Sequence, residues 1–306
     1  MKVIVQPQNG YINRIQALAS STLLARELGA EFEVQWIPSP AAPANPESIF
    51  STEFLGRFAP NPSPWELEPY LNFDSANSIV SLAGLDKGEQ VFMPELKSLL
   101  ESGCDISEIR ISAGGKFSIN QQGSSFLEAR RSFYKDDLKL NSAIENEAAA
   151  QVSTQLEYVG LHLRYADRNH QAPTRRQALR AVKTACAATN VRSVFIATDT
   201  PSGLEWWRKK LQNLGIAAWW NSPEVIISNP DRETEMALID WRILGNSRAV
   251  VYFAESSFGE EAAVASGYDG NSIGLSTSVI RARFVQLGQH FISAVTYPKR
   301  HFANFR

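Results

Sequence analysis

His162, Arg164 and Asp167 fall close together in the run Tyr158-Val-Gly-Leu-His-Leu-Arg-Tyr-Ala-Asp167. A guanidinium offers a planar fork of donors that suits a phosphate. An imidazole beside it can bind a base edge or move a proton, and a carboxylate just beyond can act as a general base. Val159, Leu161 and Leu163 alternate with Gly160, His162 and Arg164. This is the period-two pattern of a strand, and it sets His162 and Arg164 on one face. Asp167 follows past the strand end, where Arg168, Asn169 and His170 make the sequence polar. The same pattern also describes an edge strand whose His and Arg face water.

Further polar residues stand where strands end. Ser193-Val-Phe-Ile-Ala197 reads as a buried strand closed by Thr198 and Asp199. Ala249-Val-Val-Tyr-Phe253 is another, followed by a turn through Ser256 and Ser257 into a helix from Glu260 to Ser266. Hydroxyls at a helix start, together with its free N–H groups, can cradle a phosphate. Two features oppose that use: Ser256 equally suits a helix cap, and Glu260 and Glu261 place carboxylates in the first turn. Asp240 sits among apolar residues of a helix from Glu233 to Leu244, where it suits either a ligand or a neighbouring Arg.

The elements that position these residues alternate strand and helix. Lys2 to Gln6 is a short buried strand, Pro7 to Gly10 a turn, and Asn13 leads a helix from Arg14 to Leu28 that stops at Gly29. Glu31 to Ile37 is the next strand. Strand, glycine turn, helix, strand opens a doubly wound α/β domain. Asn13 and Arg14 stand at the mouth of that turn, Asn13 also being a natural cap. Prolines recur from Pro38 to Pro69, excluding a central strand or a helix interior. Phe50, Phe54, Phe58, Trp65 and Tyr70 make this a packed excursion or an acceptor-binding flap. Phe126 to Val152 is helical with a break at Asn141-Ser142. A helix over about 174–189, another from Ser202 to Leu214 and a strand from Ile216 to Trp220 complete a second parallel α/β half. Two domains are expected, 1–138 and 139–306, a size division that a 306-residue chain favours.

The formal charge of −2 argues against a nucleic-acid partner. Cys104 and Cys186 lack metal-ligand spacing, which points to no structural zinc and a reducing, cytoplasmic location. No membrane-length apolar run or signal-type segment is evident.

The order of the polar motifs resembles the fucosyltransferase superfamily with the GT-B fold, which includes core α1,6-fucosyltransferases, nodulation-factor fucosyltransferases and protein O-fucosyltransferases. Gly10 to Leu28 is similar to its G-G-x-G-N-R-x-x-A-L-A opening. His162-Leu-Arg164-Tyr-Ala-Asp167 resembles its H-x-R-R-x-D motif, Phe195-Ile-Ala-Thr198-Asp199 its second motif, and Asp240 through Ser257 its third. The signals span most of the chain. The resemblance implies two Rossmann-like domains facing across a cleft, the amino-terminal one on the acceptor side, and GDP-fucose as donor. It implies that His162 and Asp240 recognise guanine, that Arg164 with Ser256 and Ser257 holds the β-phosphate, and that Thr198 and Asp199 line the nucleotide side. Asn13 and Arg14 would face the sugar or acceptor.

The expected activity is that of an inverting, metal-independent glycosyltransferase. Negative charge grows on the leaving phosphate, Arg164 compensates it, and no D-x-D pair occurs. No cofactor is expected beyond the donor, and the acceptor is a glycan, a protein or a small molecule. Asp167 is the candidate base, with His170 second. The sequence departs from the family pattern at Asn9 and Ile12, where glycines are usual, so a differently shaped first turn is expected. Tyr165 stands for the second Arg, which keeps open a transferase of another nucleotide sugar. Ala172 and Pro173 stand where the family has a catalytic carboxylate, which keeps open a non-catalytic nucleotide-sugar binding protein.

Overall fold

The computed structural model describes residues 1–85, 91–120, 123–164, 173–221 and 230–276. In chain order these form β1 (Lys2–Pro7), α1 (Tyr11–Leu28), β2 (Glu31–Val34), α2 (Pro46–Ile49), α3 (Thr52–Leu55), β3 (Tyr70–Asp74), β4 (Ile79–Leu85), β5 (Val91–Phe92), α4 (Pro94–Glu101), β6 (Glu108–Ala113) and β7 (Phe117–Ser118). Then come α5 (Gly123–Ser132), a π turn (Phe133–Asp137), α6 (Ser142–Ser153), β8 (Val159–Leu163), α7 (Arg175–Thr189), β9 (Ser193–Thr198), α8 (Leu204–Gln212), β10 (Ala217–Trp219), α9 (Pro230–Gly245), β11 (Val250–Phe253), α10 (Ser257–Ser266) and β12 (Ile273–Leu275).

Two five-stranded sheets organise the chain. The first has the order β2-β1-β6-β4-β3, parallel except for β3, and the second, β10-β9-β8-β11-β12, is parallel throughout. Parallel strands covered on both faces need apolar residues on both, and Val3, Ile4 and Val5 of β1 are all buried. β8 is the central strand of its sheet and is buried at every position, so His162 does not face water. Helix ends carry the local chemistry expected of them. Gly29 closes α1 at φ 59°, and Thr174 with Gln177 forms a capping box at the start of α7, which Asn190 closes at φ 54°.

α1 begins at Tyr11, three residues before Arg14, with Gly10 rather than Asn13 in the capping position. The Pro-rich excursion is packed: Trp36, Phe50, Phe54 and Phe58 form one aromatic cluster, with Phe50 and Phe54 stacked at 5.1 Å. Trp219 packs on Tyr158 and Phe195, as a core residue does. The chain passes from one sheet to the other through α5, the π turn and α6. No helix among the described residues is long and apolar enough to cross a membrane.

Candidate functional site

β8, β9 and β11 are parallel neighbours, so their carboxyl ends share one edge of the second sheet. Ligands of open α/β sheets bind along that edge. His162 is 8% exposed, and its ring stacks on Phe258 at 4.8 Å. Its Nδ1 is buried without a hydrogen-bond partner. Burial, reinforced by the nearby Arg164 cation and opposed by Asp199, pushes the imidazole down to about 4. It is therefore neutral near pH 7, able to give or take one hydrogen bond but not to act as a cation. Arg164 is half-buried just past the strand. Thr198 ends β9, its hydroxyl accepting from the Thr200 N–H at 3.1 Å, and exposed Asp199 accepts from the Thr200 hydroxyl at 2.9 Å.

The turn from β11 into α10 approaches His162 closely. A Cβ on Gly259 would lie 2.4 Å from Tyr252 Cβ and 3.0 Å from His162 Nδ1, so only glycine lets the helix sit there. Ser256 occupies the capping position, yet its side chain makes no cap bond. Its hydroxyl is buried and unpartnered, with the residue 1% exposed. The capping role is thus not taken up. Glu260 and Glu261 do not bar an anion in the way their positions imply. Glu260 pairs with Lys116, and Glu261 with Arg130 and Lys116, so two carboxylates meet two cations.

Asp240 projects from α9 and accepts a hydrogen bond from the Asn221 amide, so among the described residues its partner is an amide and not an arginine. Burial raises its carboxyl to about 7, against the opposing effect of that bond. Asn221 Oδ1 is itself buried without a partner. Among the described residues, His162 Nδ1, Ser256 Oγ and Asn221 Oδ1 are thus unmatched polar atoms, His162 near the end of β8 and the other two just past β11 and β10 of one sheet. A carboxylate beside an amide matches a base edge that presents adjacent N–H donors.

The first turn of α1 meets this edge from the other sheet. The Ser257 hydroxyl donates to Asn13 Oδ1, joining the starts of α10 and α1. Arg14, by contrast, turns away. It is 1% exposed, lies 4.6 Å over the Trp36 ring, and donates to Asn9 O (2.9 Å), Ile37 O (2.8 Å) and Ser39 Oγ (2.9 Å). Burial lowers it to about 10, so it stays charged. These contacts brace the turn. The turn keeps the left-handed backbone a glycine would take: Asn9 holds φ 65°, and its side chain fills the space beside Gly114, where a Cβ would lie 2.2 Å from Asn9 Nδ2.

Glu261 takes a role that motif reasoning did not give it. Fully buried, it receives Arg130 through both oxygens, the Tyr134 hydroxyl at 2.6 Å and the Gln16 amide at 2.7 Å. Burial alone would raise its carboxyl, but Arg130 and Lys116 hold it below the usual range. This knot ties α10 to α1, α5 and the π turn. A buried Glu one turn into a helix was its only trace in the sequence. Tyr165, Asp167 and His170 lie outside the described residues. Among the described residues, no group of three or more His, Cys, Asp or Glu side chains is placed to hold a metal ion. A cleft of about 600 Å³ lies away from these residues, lined among others by Lys135, Glu145, Arg242 and Asn246, and none of the candidate residues lines it.

No protein-family model and no curated protein matches the chain. Solved structures do. FUT1 of Arabidopsis thaliana, a mutant in complex with GDP, superposes with a TM-score of 0.58 at 12% identity, over 87% of this chain and 68% of that one. The apo form of POFUT1 gives 0.55 at 14% identity, over 89% and 97%. The fucosyltransferase NodZ from Bradyrhizobium gives 0.51 at 18% identity, over 85% and 92%. The structural neighbours are fucosyltransferases. At these identities the likeness establishes the fold, mixed α/β with parallel sheets, across most of the chain. POFUT1 and NodZ have also been solved with GDP-fucose.

Proposed function

We propose that the chain is an inverting, metal-independent glycosyltransferase that transfers fucose from GDP-fucose to an acceptor hydroxyl. The observation that carries this reading is the set of buried, unmatched polar atoms at one sheet edge, His162 Nδ1, Ser256 Oγ and Asn221 Oδ1, flanked by Arg164 and Asp240. Buried polar groups without partners cost about 1–3 kcal/mol each, a cost that a bound nucleotide would offset. In this reading the two sheets belong to the two domains of a GT-B fold, 1–138 and 139–306, with the donor on the second. Guanine presents adjacent N–H donors to Asp240, and neutral His162 takes up the remaining base edge. Ser256 and Ser257 hydrogen-bond the β-phosphate. Arg164 compensates the charge that grows there as the glycosidic bond breaks, which removes the need for a metal. Thr198 and Asp199 line the nucleotide. Asn13, fixed by Ser257, faces the sugar, and Arg14 acts only by holding the turn that carries Asn13. Asp167 takes the acceptor proton, with His170 as the other candidate. A cytoplasmic location belongs to the same reading and draws on the unpaired Cys104 and Cys186.

The test is transfer or hydrolysis of radiolabelled GDP-fucose by the purified chain in the presence of a chelator. Release of fucose that survives chelation and is lost in Arg164→Ala is expected. A strict need for Mg²⁺ or Mn²⁺ contradicts the mechanism. A second reading, the same reaction with another nucleotide sugar, draws on Tyr165 at the place of the family's second Arg, and turnover of a different donor in the same assay would favour it.

A further inference from the structure

We infer that the segment from Asn61 to Tyr70 is a binding strap for a neutral carbohydrate acceptor, an inference that rests on the glycosyl-transfer reading. The segment is anchored at both ends of one sheet edge. At the carboxyl end of β1, the Gln6 side chain, 3% exposed, donates to Ser63 O at 3.0 Å and accepts from the Trp65 N–H at 3.3 Å. Gln8 donates to Gln6 Oε1 at 3.2 Å and fixes the amide. At the other end Tyr70 begins β3, opposite Ala83 near the carboxyl end of β4. Since the strand order is β1-β6-β4-β3, residues 61–70 run along the carboxyl edge of the first sheet from β1 to β3. That edge also carries the turn into α1, where Asn13 touches Ser257.

The strap's chemistry is specific. Tyr70 is 81% exposed and holds φ 73°. This left-handed backbone is strained for an L-residue, yet the ring gains almost no packing in return. Strain kept at an exposed aromatic points to a ligand. Trp65, five residues earlier, is half-buried, and Glu66 and Glu68 are exposed without partners among the described residues. Pro62, Pro64 and Pro69 restrict the backbone, so little order must be gained on binding. Flat aromatic faces stack on the C–H faces of sugar rings, while carboxylates accept hydrogen bonds from hydroxyls. The two glutamates disfavour anionic acceptors. A neutral, hydroxyl-rich chain meets every feature.

The test applies the full chain, with GDP, to an array of neutral oligosaccharides and to a set of lysine-rich peptides. Retention on neutral glycans is expected, weakened about tenfold or more in Trp65→Ala and Tyr70→Gly. GDP affinity by calorimetry should stay within about twofold in both variants. Tyr70→Gly also relieves the left-handed strain, so its Tm should not fall, and loss of glycan binding then reports the ring and not the fold. No neutral-glycan binding by the wild type, binding unchanged in Tyr70→Gly, or selective binding of basic peptides overturns the inference. Failure of the transferase reading appears in the separate arm, as absence of GDP binding with glycan retention intact.

Discussion

The starts of α1 and α10 are built alike and satisfied differently. Each follows a parallel strand at the carboxyl edge of its sheet, and the two touch through Ser257 and Asn13. At α1 the buried cation Arg14 makes three hydrogen bonds and lies on an indole. At α10 Ser256 Oγ and the adjoining His162 Nδ1 are buried and have none. A first turn closed by protein partners acts as a brace, whereas one with unmatched polar atoms has groups to offer a ligand. On the proposed reading the second sheet is the donor side of the reaction, and the first supplies the wall that holds Asn13 against it.

The largest expected effect breaks the frame beneath both turns. Glu261→Ala leaves Arg130 buried without its carboxylate and should cost about 3–5 kcal/mol, read as a lower denaturation midpoint in urea. A midpoint near wild type would mean that the knot does not hold α10. Next, Gly259→Ala drives a methyl into Tyr252 and His162. A loss of about 1–3 kcal/mol is expected, together with weaker nucleotide binding, because the imidazole must move. Retained affinity would remove His162 from the site.

A pH series sharpens the contrast further. The folded carboxyl of Asp240 titrates at about 7, above its ordinary 3.8. The folded state therefore binds that proton more tightly, and its stabilising contribution, full below the ordinary value, is lost as pH rises through 7. His162 runs the other way: at about 4 against 6.5, it makes the protein lose stability as pH falls from 6.5 towards 4. In the proposed reading the base is recognised by the ionised carboxylate, so affinity for guanosine should fall as pH drops below 7, by about tenfold per unit at the limit, and Asp240→Asn should flatten the profile. An unchanged wild-type profile between pH 5.5 and 7.5 would separate Asp240 from the base. The smallest stability effect belongs to Ser256→Ala. The hydroxyl has no partner, so the midpoint should move by no more than about 0.5 kcal/mol, while GDP affinity drops several-fold. A clear loss of stability would show a cap after all.

The strands bearing His162, Thr198 and Ser256 were legible because apolar runs ending in polar residues mark strand ends. Strand order was not, and with it the fact that β8 is central and His162 buried. Where Arg14 points was not legible, for a physical reason. Its type and place at a helix start suit an anion, but its direction is set by carbonyl and hydroxyl groups of Ile37 and Ser39, far along the chain. Ser256 is a capping residue by type, whereas its hydroxyl does not reach the helix N–H groups. By sequence Glu261 is a first-turn acid opposing phosphate, and only the long-range approach of Arg130, Tyr134 and Gln16 makes it a buried anchor. Proline density showed that residues 38–69 hold no central strand, and the structure adds the single-turn helices α2 and α3 there; the Gln6 bonds reveal where their last part is tied.

Calorimetric titration of the chain with GDP, UDP, ADP and dTDP, without metal, tests the central claim most directly. The account predicts selective binding of GDP, lost in Asp240→Ala. Equal affinity for the four nucleotides, or none for any of them, would contradict it.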